Sequence, residues 1–379
     1  MRITGHWLER DETQRVLACL TSGGWQALLV GGCVRNALIG AEVADVDIAT
    51  DARPETVTEL AEKAGFHVVP TGIDHGTVTV VSGGIPHEVT TFRRDVETDG
   101  RRAVVAFSDR IAEDAARRDF TMNALYAQAD GQVIDPLGGL PDLLARRLRF
   151  VGDAETRIRE DYLRILRFFR FHAWYGDPQE GLDPDGLAAC AAFSAGLETI
   201  SCERIGAEMR KLLAAPDPAP AVAAMAQAGV LRQILPGADP RGLAPLVHLE
   251  GGLPPRWQRR LAVLGGQDRD ARLRLSNPEK RQMAALDQAL SSIDSPAVLG
   301  WRIGAEGGAD AILARAALMG APTPEGWQAE VARGAAAEFP VKAADLPDLS
   351  GAALGRRLKE LEQEWCSSGL RLDKAQLLA

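Results

Sequence analysis

The sequence predicts a mixed domain, α/β or α+β, followed by a long all-helical portion, and three observations carry that expectation. From Trp25 to about Phe150, short β-branched runs alternate with helical patterns and Gly-rich turns. From Ala154 onward the strands vanish, and Ala, Leu and Arg recur at helical spacing broken by Pro and Gly. The 379 residues also suit two or three domains, at roughly 150 residues each. The stretch Ala214 to Pro220, with three prolines, reads as a joint between an early helical unit and a later one.

Composition narrows the class. With 46% hydrophobic and 25% charged residues the chain has the make-up of a folded protein rather than a disordered one. No apolar run approaches the roughly 20 residues that span a bilayer, and Met1 to Arg10 has no signal-peptide core, so neither a membrane protein nor a secreted one is expected. Cys19, Cys33, Cys190, Cys202 and Cys366 are odd in number and never form a Cys-x-x-Cys pair. They read as reduced thiols of a cytoplasmic protein, not as a disulfide framework or zinc site. The net charge of −9 argues against indiscriminate coating of nucleic acid. Arginine nevertheless crowds Arg93 to Arg118, Arg146 to Arg170 and Arg256 to Arg281, which leaves room for a basic groove.

The first chemical signal is Leu28 to Val30, a short strand that runs into Gly31-Gly32 and then Cys33-Val34-Arg35 at a helix start. Such a junction lets backbone N–H groups approach a phosphate, with Arg35 adding a charge-assisted contact; a plain tight turn with a surface arginine competes with this. Next comes Asp45-Val46-Asp47-Ile48. In a strand the two aspartates would share one side while Val46 and Ile48 enter the core. Two carboxylates so close repel, and hard divalent ions beside phosphates, usually Mg2+, would satisfy both; a solvated strand end is the competing reading. Gly76 to Val81 and Pro86 to Phe92 look like neighbouring strands joined at Gly83-Gly84. If the second lies beside the Asp-x-Asp strand, Glu88 completes a two-metal carboxylate cluster, with metals about 4 Å apart suited to nucleotidyl transfer. Otherwise Glu88 is an exposed strand residue.

Arg117-Arg118-Asp119-Phe120-Thr121-Met122-Asn123 completes a set with the Gly-Gly-Cys-Val-Arg turn, Asp-Val-Asp-Ile-Ala-Thr, His75-Gly-Thr-Val-Thr-Val and Glu-Val-Thr-Thr-Phe-Arg. Together, and in this order, they resemble the class II tRNA nucleotidyltransferase and poly(A) polymerase family, over residues 25 to 213 most clearly. The resemblance implies a nucleotidyltransferase head with a DNA-polymerase-β-like mixed sheet over 1–150, a helical neck that recognises the base over 151–213, and a helical, tRNA-binding body and tail over 214–379. It implies that Asp45 and Asp47 hold magnesium with Glu88 as third carboxylate. Gly31, Gly32 and Arg35 would meet the triphosphate, and Arg118, Asp119 and Asn123 the phosphates and ribose. Asn36 stands where the family usually has aspartate.

Glu160 to Phe171 reads as one helix with Asp161, Arg164, Arg167 and Arg170 on a slowly slanting stripe. An ordinary surface ion pair would explain it. By resemblance this is the family's protein template for nucleotide choice, and the chemistry is consistent. Cytosine and adenine each present an amino donor beside a ring-nitrogen acceptor, whereas guanine and uracil reverse that order. Asp161 accepting and Arg164 donating would therefore admit C and A and leave the wrong bases unpaired. Arg167 and Arg170 would lie further along, at the triphosphate or orienting the base.

The expected activity is addition of C, C and A to the 3′ end of tRNA from CTP and ATP, without a nucleic-acid template and with pyrophosphate released. No membrane and no DNA partner are expected. Val69 to Thr77 lacks the Gly-Arg-Arg-Phe-type sequence of bacterial poly(A) polymerases, which remain the alternative within the family; an inactive RNA- or nucleotide-binding protein is the alternative of another class. The charged segment Arg93 to Asp114 resembles the flexible loop with which full CCA-adding enzymes switch from C to A. No histidine precedes an aspartate, so an appended His-Asp phosphohydrolase is not expected. Ser201 to Leu213 resembles the end of the neck. Arg272 to Asn277 and Gly355 to Trp365 are candidate faces for tRNA phosphates.

Overall fold

The computed structural model describes residues 1–73, 76–99 and 102–379. The chain divides into two units, Met1–Ile200 with Ala228–Val230, and Ser201–Gln227 with Leu231–Ala379. In the first unit the strands are β1 (Leu28–Val30), β2 (Asp47–Thr50), β3 (His67–Gly72), β4 (Thr77–Ser82), β5 (Ile85–Thr91), β6 (Arg93–Asp99), β7 (Arg102–Phe107), β8 (Tyr126–Ala127) and β9 (Val133–Ile134). Seven form one mixed sheet in the order β3-β4-β5-β2-β1-β8-β9, and only β2 and β5 run parallel.

Alternation in the strands decides which face does what. Ile48, Val78, Val80, His87 and Val89 are buried on one face, against helices α1 (Asp11–Ser22) and α2 (Pro54–Lys63). His87 is sealed there by Thr13 Oγ1, 3.1 Å from its Nε2. The opposite face carries Asp47, Glu88 and Thr79 side by side, because the register sets Asp47 against Glu88 and Thr79 against Glu88. Further along that face Leu28, Val30 and Ala49 pack with Phe92, Ala115, Tyr126 and Val151.

The remaining helices of this unit include α3 (Gly32–Leu38), placed between α1 and α2 in the chain, then α4 (Ile111–Ala116), α5 (Ala154–Glu160) and α6 (Leu163–Tyr175). The amphipathic α6 buries Ile165, Leu166, Phe168, Phe169 and Phe171. Phe168 stacks on Phe150 at 5.4 Å and Phe120 meets both Phe150 (5.0 Å) and Phe171 (5.2 Å), so aromatic packing welds α6 to the segment after β7.

The second unit is helical, as the composition beyond Ala154 predicts. Its helix Asn277–Ser291 begins with a reciprocal capping box between Ser276 and Glu279. Ser201 stands at the start of Cys202–Leu213 without making a side-chain cap. The arginine-rich stretch after Arg256 is not all groove: Arg259 and Arg260 are buried. Both bind Glu250, at 2.8 and 2.7 Å, while Arg256 and Arg259 reach Asp310. Arg260 also donates to the carbonyls of Leu213, Ala215 and Pro216, the first at 2.7 Å. It therefore clasps the buried C-terminal end of the Cys202–Leu213 helix and the proline-rich joint that follows.

Removing one partner of a buried ion network strands the others, so Arg260→Ala should lower stability by about 3–5 kcal/mol. Denaturant unfolding followed by circular dichroism measures this; a loss below about 1 kcal/mol would contradict the clasp.

Candidate active site

Asp47 opens β2, and Glu88 stands directly opposite it on the parallel strand β5. Asp45 lies two residues earlier, exposed and outside the strand; the Asp-x-Asp pair therefore does not sit wholly in a strand as alternation predicts. The reason is local. Strand β1 pairs with β2 only through Leu28 and Leu29, then turns away at Gly31, whose φ of 69° ends the ladder. Val46 and Ile48 are both buried as expected.

Burial, then the facing charge of Glu88, push the Asp47 carboxyl up to about 6; Arg118 opposes the rise and Asp45 adds to it. Two carboxylates thus face each other on one partly buried surface, with Arg118 as a partial counter-charge. Among the described residues, no three His, Cys, Asp or Glu side chains are gathered closely enough to hold a metal ion by themselves. The donor set still fits magnesium, which commonly takes one or two carboxylates and completes its shell with water and phosphate oxygens.

Gly31 brings the strand end to Arg118. A Cβ there would lie 3.5 Å from Arg118 Nη1, on a backbone conformation that disfavours any side chain. Arg118 is fixed by Asp114 (2.8 Å) and the Tyr126 hydroxyl (3.1 Å). Asp114 is buried, which raises its carboxyl, but Arg118 and Arg117 more than reverse this and hold it down at about 2. Asp114 and Tyr126 were not singled out from the sequence. The four-residue interval from Asp114, in α4, to Arg118, just past its end, was the available signal.

A second chain of contacts begins at Asp119, which is 9% exposed. It accepts from Arg167 Nε and Nη2 at 2.7 and 2.5 Å, from Asn123 Nδ2 at 3.0 Å and from the Phe120 N–H at 2.9 Å. Burial works against the charge, but Arg167 and Asn123 prevail and keep the carboxyl below the usual range. Asn123 Oδ1 in turn accepts from Arg35 Nη1 at 2.5 Å. Residues from the glycine turn, the Arg-Arg-Asp segment and α6 thus form one connected network. The rings add to it: Arg35, Arg167 and Arg170 all approach Phe171, at 5.2, 5.1 and 4.3 Å from its centroid.

The expected single helix from Glu160 is corrected. Helix α5 ends at Glu160, Asp161 is extended (φ −155°, ψ 105°), and α6 begins at Leu163. The Asp161 carboxylate accepts from the Leu163 N–H at 3.1 Å, the local competition with helical hydrogen bonding typical of aspartate. Asp161 consequently stands at a break, while Arg164, Arg167 and Arg170 follow on α6. Arg164 binds Glu160 at 2.6 Å and the carbonyls of Arg157 and Arg117 at 3.0 and 3.3 Å.

The charged segment after Phe92 also differs from a plain flexible loop. Strands β6 and β7 form a ribbon with Arg93 opposite Phe107, followed by α4. Gly100 and Arg101 of this segment, and Asp74 and His75 of the earlier motif, lie outside the described residues.

Because the folded state raises the Asp47 pKa, its ionisation costs stability as pH rises from about 4 through about 6. Asp47→Asn should therefore stabilise the metal-free protein at pH 7.5 by about 3 kcal/mol, with the gain gone below about pH 4. Thermal melts at both pH values in chelator check this. A variant no more stable than the parent at pH 7.5 would contradict the frustrated carboxylate.

Comparison with known proteins places this geometry. Residues 27–149 match the family described as "Poly A polymerase head domain", and residues 181–241 match "Probable RNA and SrmB- binding site of polymerase A". The CCA-adding enzyme of Leuconostoc citreum is 44% identical over 217 residues, 56% of this chain and 52% of that protein. The alignment thus spans about half of that relative's length. The mitochondrial CCA tRNA nucleotidyltransferase 1 of Mus musculus is 33% identical over 93% of this chain and 85% of its own. The crystal structure of the Bacillus stearothermophilus CCA-adding enzyme in complex with CTP superposes with a TM-score of 0.74 at 31% identity, covering 94% of this chain and 92% of that one. With its mixed seven-stranded sheet, helical remainder and near full-length relatives, the chain belongs to the CCA-adding tRNA nucleotidyltransferase family.

Proposed function

We propose that the protein adds C, C and A in turn to the 3′ end of tRNA, using CTP and ATP and releasing pyrophosphate at each step. The observation that carries this is the single face on which Asp47 and Glu88 stand in register, with Arg118 acting on the Asp47 charge from beside the glycine turn. Asp45 and Asp47 would hold Mg2+, with Glu88 as the third carboxylate. When bound, the ion neutralises the carboxylates and polarises the reacting phosphate. The terminal ribose hydroxyl of the tRNA attacks the α-phosphate, and the new P–O bond forms as the bond to pyrophosphate breaks.

The chain's own residues do the positioning. Gly31 and Gly32 give close backbone approach, and Arg35 and Arg118 take the triphosphate. Asn123, oriented by the ionised Asp119, handles the ribose. Asp161 and Arg164 read the base by accepting from its amino group and donating to its ring nitrogen. In this structure both make local contacts, Asp161 to Leu163 N–H and Arg164 to Glu160, so reading the base requires exchanging those partners. Arg167 and Arg170 supply positive charge beside Arg35. Catalysis is positioning plus electrostatics.

A division into head (1–150), neck (151–213) and tRNA-binding body and tail (214–379) accompanies this reading, with α6 in the neck. In the body and tail, Arg356 and Lys359 are exposed and open to phosphates, and Arg274 is exposed in an ion pair with Glu203 at 3.1 Å. No described helix is long and apolar enough to cross a membrane. The cytoplasm is the proposed compartment.

Incubation of tRNA ending before CCA with magnesium and single labelled nucleotides tests the activity. C followed by A supports it; A-tailing of unrelated RNA would instead identify a poly(A) polymerase, and binding without extension an inactive binding protein. Asp45→Ala should abolish addition and leave tRNA binding within about twofold, since the catalytic carboxylate contributes little to the RNA contact. Asp161→Ala should raise incorporation of U and G relative to C by about tenfold or more, as expected when a hydrogen-bond reader is lost. Unchanged selectivity would overturn the base-reading role.

A further inference from the structure

Arg35 is a buried cation whose guanidinium, among the described residues, hydrogen-bonds to no carboxylate. It is 6% exposed, and its guanidinium donates from Nε and Nη2 to Asn36 Oδ1 (3.1 and 2.8 Å), from Nη1 to Asn123 Oδ1 (2.5 Å) and from Nη2 to the Tyr175 hydroxyl (2.8 Å). All three acceptors are uncharged. Its centre lies 3.9 Å from the Tyr175 ring centroid and 5.2 Å from that of Phe171. Asn36 is itself held by its Nδ2, which donates to the Glu42 carbonyl at 2.6 Å. Tyr175 is the last residue of α6, so this contact ties the far end of that helix to the turn after β1.

The two ways of fixing a guanidinium differ in consequence. A carboxylate clamp cancels the charge it orients, whereas an aromatic face and a neutral hydroxyl orient it and leave the charge in place. Burial works most strongly against the Arg35 charge, and Asp119, though paired with Arg167, attracts it more than Arg170 repels it; around Phe171, however, the guanidiniums of Arg35, Arg167 and Arg170 gather beside this one carboxylate. A site of this kind favours a polyanion.

We propose that Tyr175 is a positioning residue that holds Arg35 un-neutralised for the triphosphate of the incoming nucleotide, so that the end of α6 and the glycine turn act as one phosphate-binding element. This rests on the reading of Arg35 as a triphosphate contact.

The test uses the full chain and compares Tyr175→Phe, Tyr175→Leu, Arg35→Lys and the Tyr175→Leu/Arg35→Lys double variant. KM and kcat for CTP are measured with inhibition by inorganic pyrophosphate, and thermal melts confirm folding. Tyr175→Leu should raise the KM and weaken pyrophosphate inhibition by about tenfold each, with kcat within about twofold, as for loss of a hydrogen bond to a charged group. Tyr175→Phe, which keeps the ring, should raise KM about threefold, and the double variant should be no worse than Arg35→Lys because the two act as a unit. If Arg35→Lys raises KM but Tyr175→Leu does not, the positioning role fails and the triphosphate reading stands. If neither variant changes KM, both fail. A fall in kcat or melting temperature with KM unchanged would also overturn the proposal, reducing Tyr175 to packing.

Discussion

Asp119 is a carboxylate taken almost wholly out of water and kept ionised there by Arg167, Asn123 and a backbone N–H. A buried charge with one partner removed is costly, and with all partners present it tolerates few arrangements. Arg167 belongs to α6, Asn123 follows the sheet-flanking segment, and Asn123 passes the constraint to Arg35 on α3. The distance between the carboxylate face of the sheet and the helix that follows Asp161 is therefore set by hydrogen-bond geometry as well as by packing of Phe120, Phe150, Phe168 and Phe171. Such rigidity matters to an enzyme whose chemistry is positioning, where a displacement of about 1 Å can cost about a hundredfold in rate.

The sheet face contributes the opposite kind of constraint. Parallel pairing of β2 with β5 places Asp47 against Glu88, and among the described residues Arg118 relieves the repulsion only in part. Natural proteins keep such conflicts where function needs them. Hydrophobic residues on the reverse of the same strands, Ile48, Val89 and Val80, fasten the conflict in place. On the proposed reading of Asp47, removing its charge relaxes the fold and ends the chemistry together.

Much of this was legible in the residues. Gly76 to Val81 and Pro86 to Phe92 read as neighbouring strands joined at Gly83-Gly84, and the structure has strands at Thr77–Ser82 and Ile85–Thr91, because strand propensity and turn residues are local information. The parallel partner of β5 was reachable only as a condition, since strand order is set by long-range packing. Asp161 was misplaced within a helix for a related reason. Its apolar neighbours have helical period, and a single side chain competing for the Leu163 N–H breaks the helix without disturbing that pattern. Tyr126 and Tyr175 carried no motif, and their roles arise from arginines 8 and 140 residues away in the chain. Arg259 and Arg260 looked like groove residues by composition, yet they are buried on Glu250, a partner no sequence interval announces.

A structure of the protein with CTP and magnesium tests the central claim, that the geometry fixed at Asp119 lets protein side chains choose the base at a set distance from the carboxylates. The account predicts the cytosine amino group on Asp161, its ring nitrogen on Arg164, and the triphosphate between Arg118 and the Asp45/Asp47 pair, with the Asp119–Arg167 contact intact. A cytosine whose hydrogen-bonding edge faced solvent, or an Asp119 released from Arg167 when nucleotide binds, would contradict it.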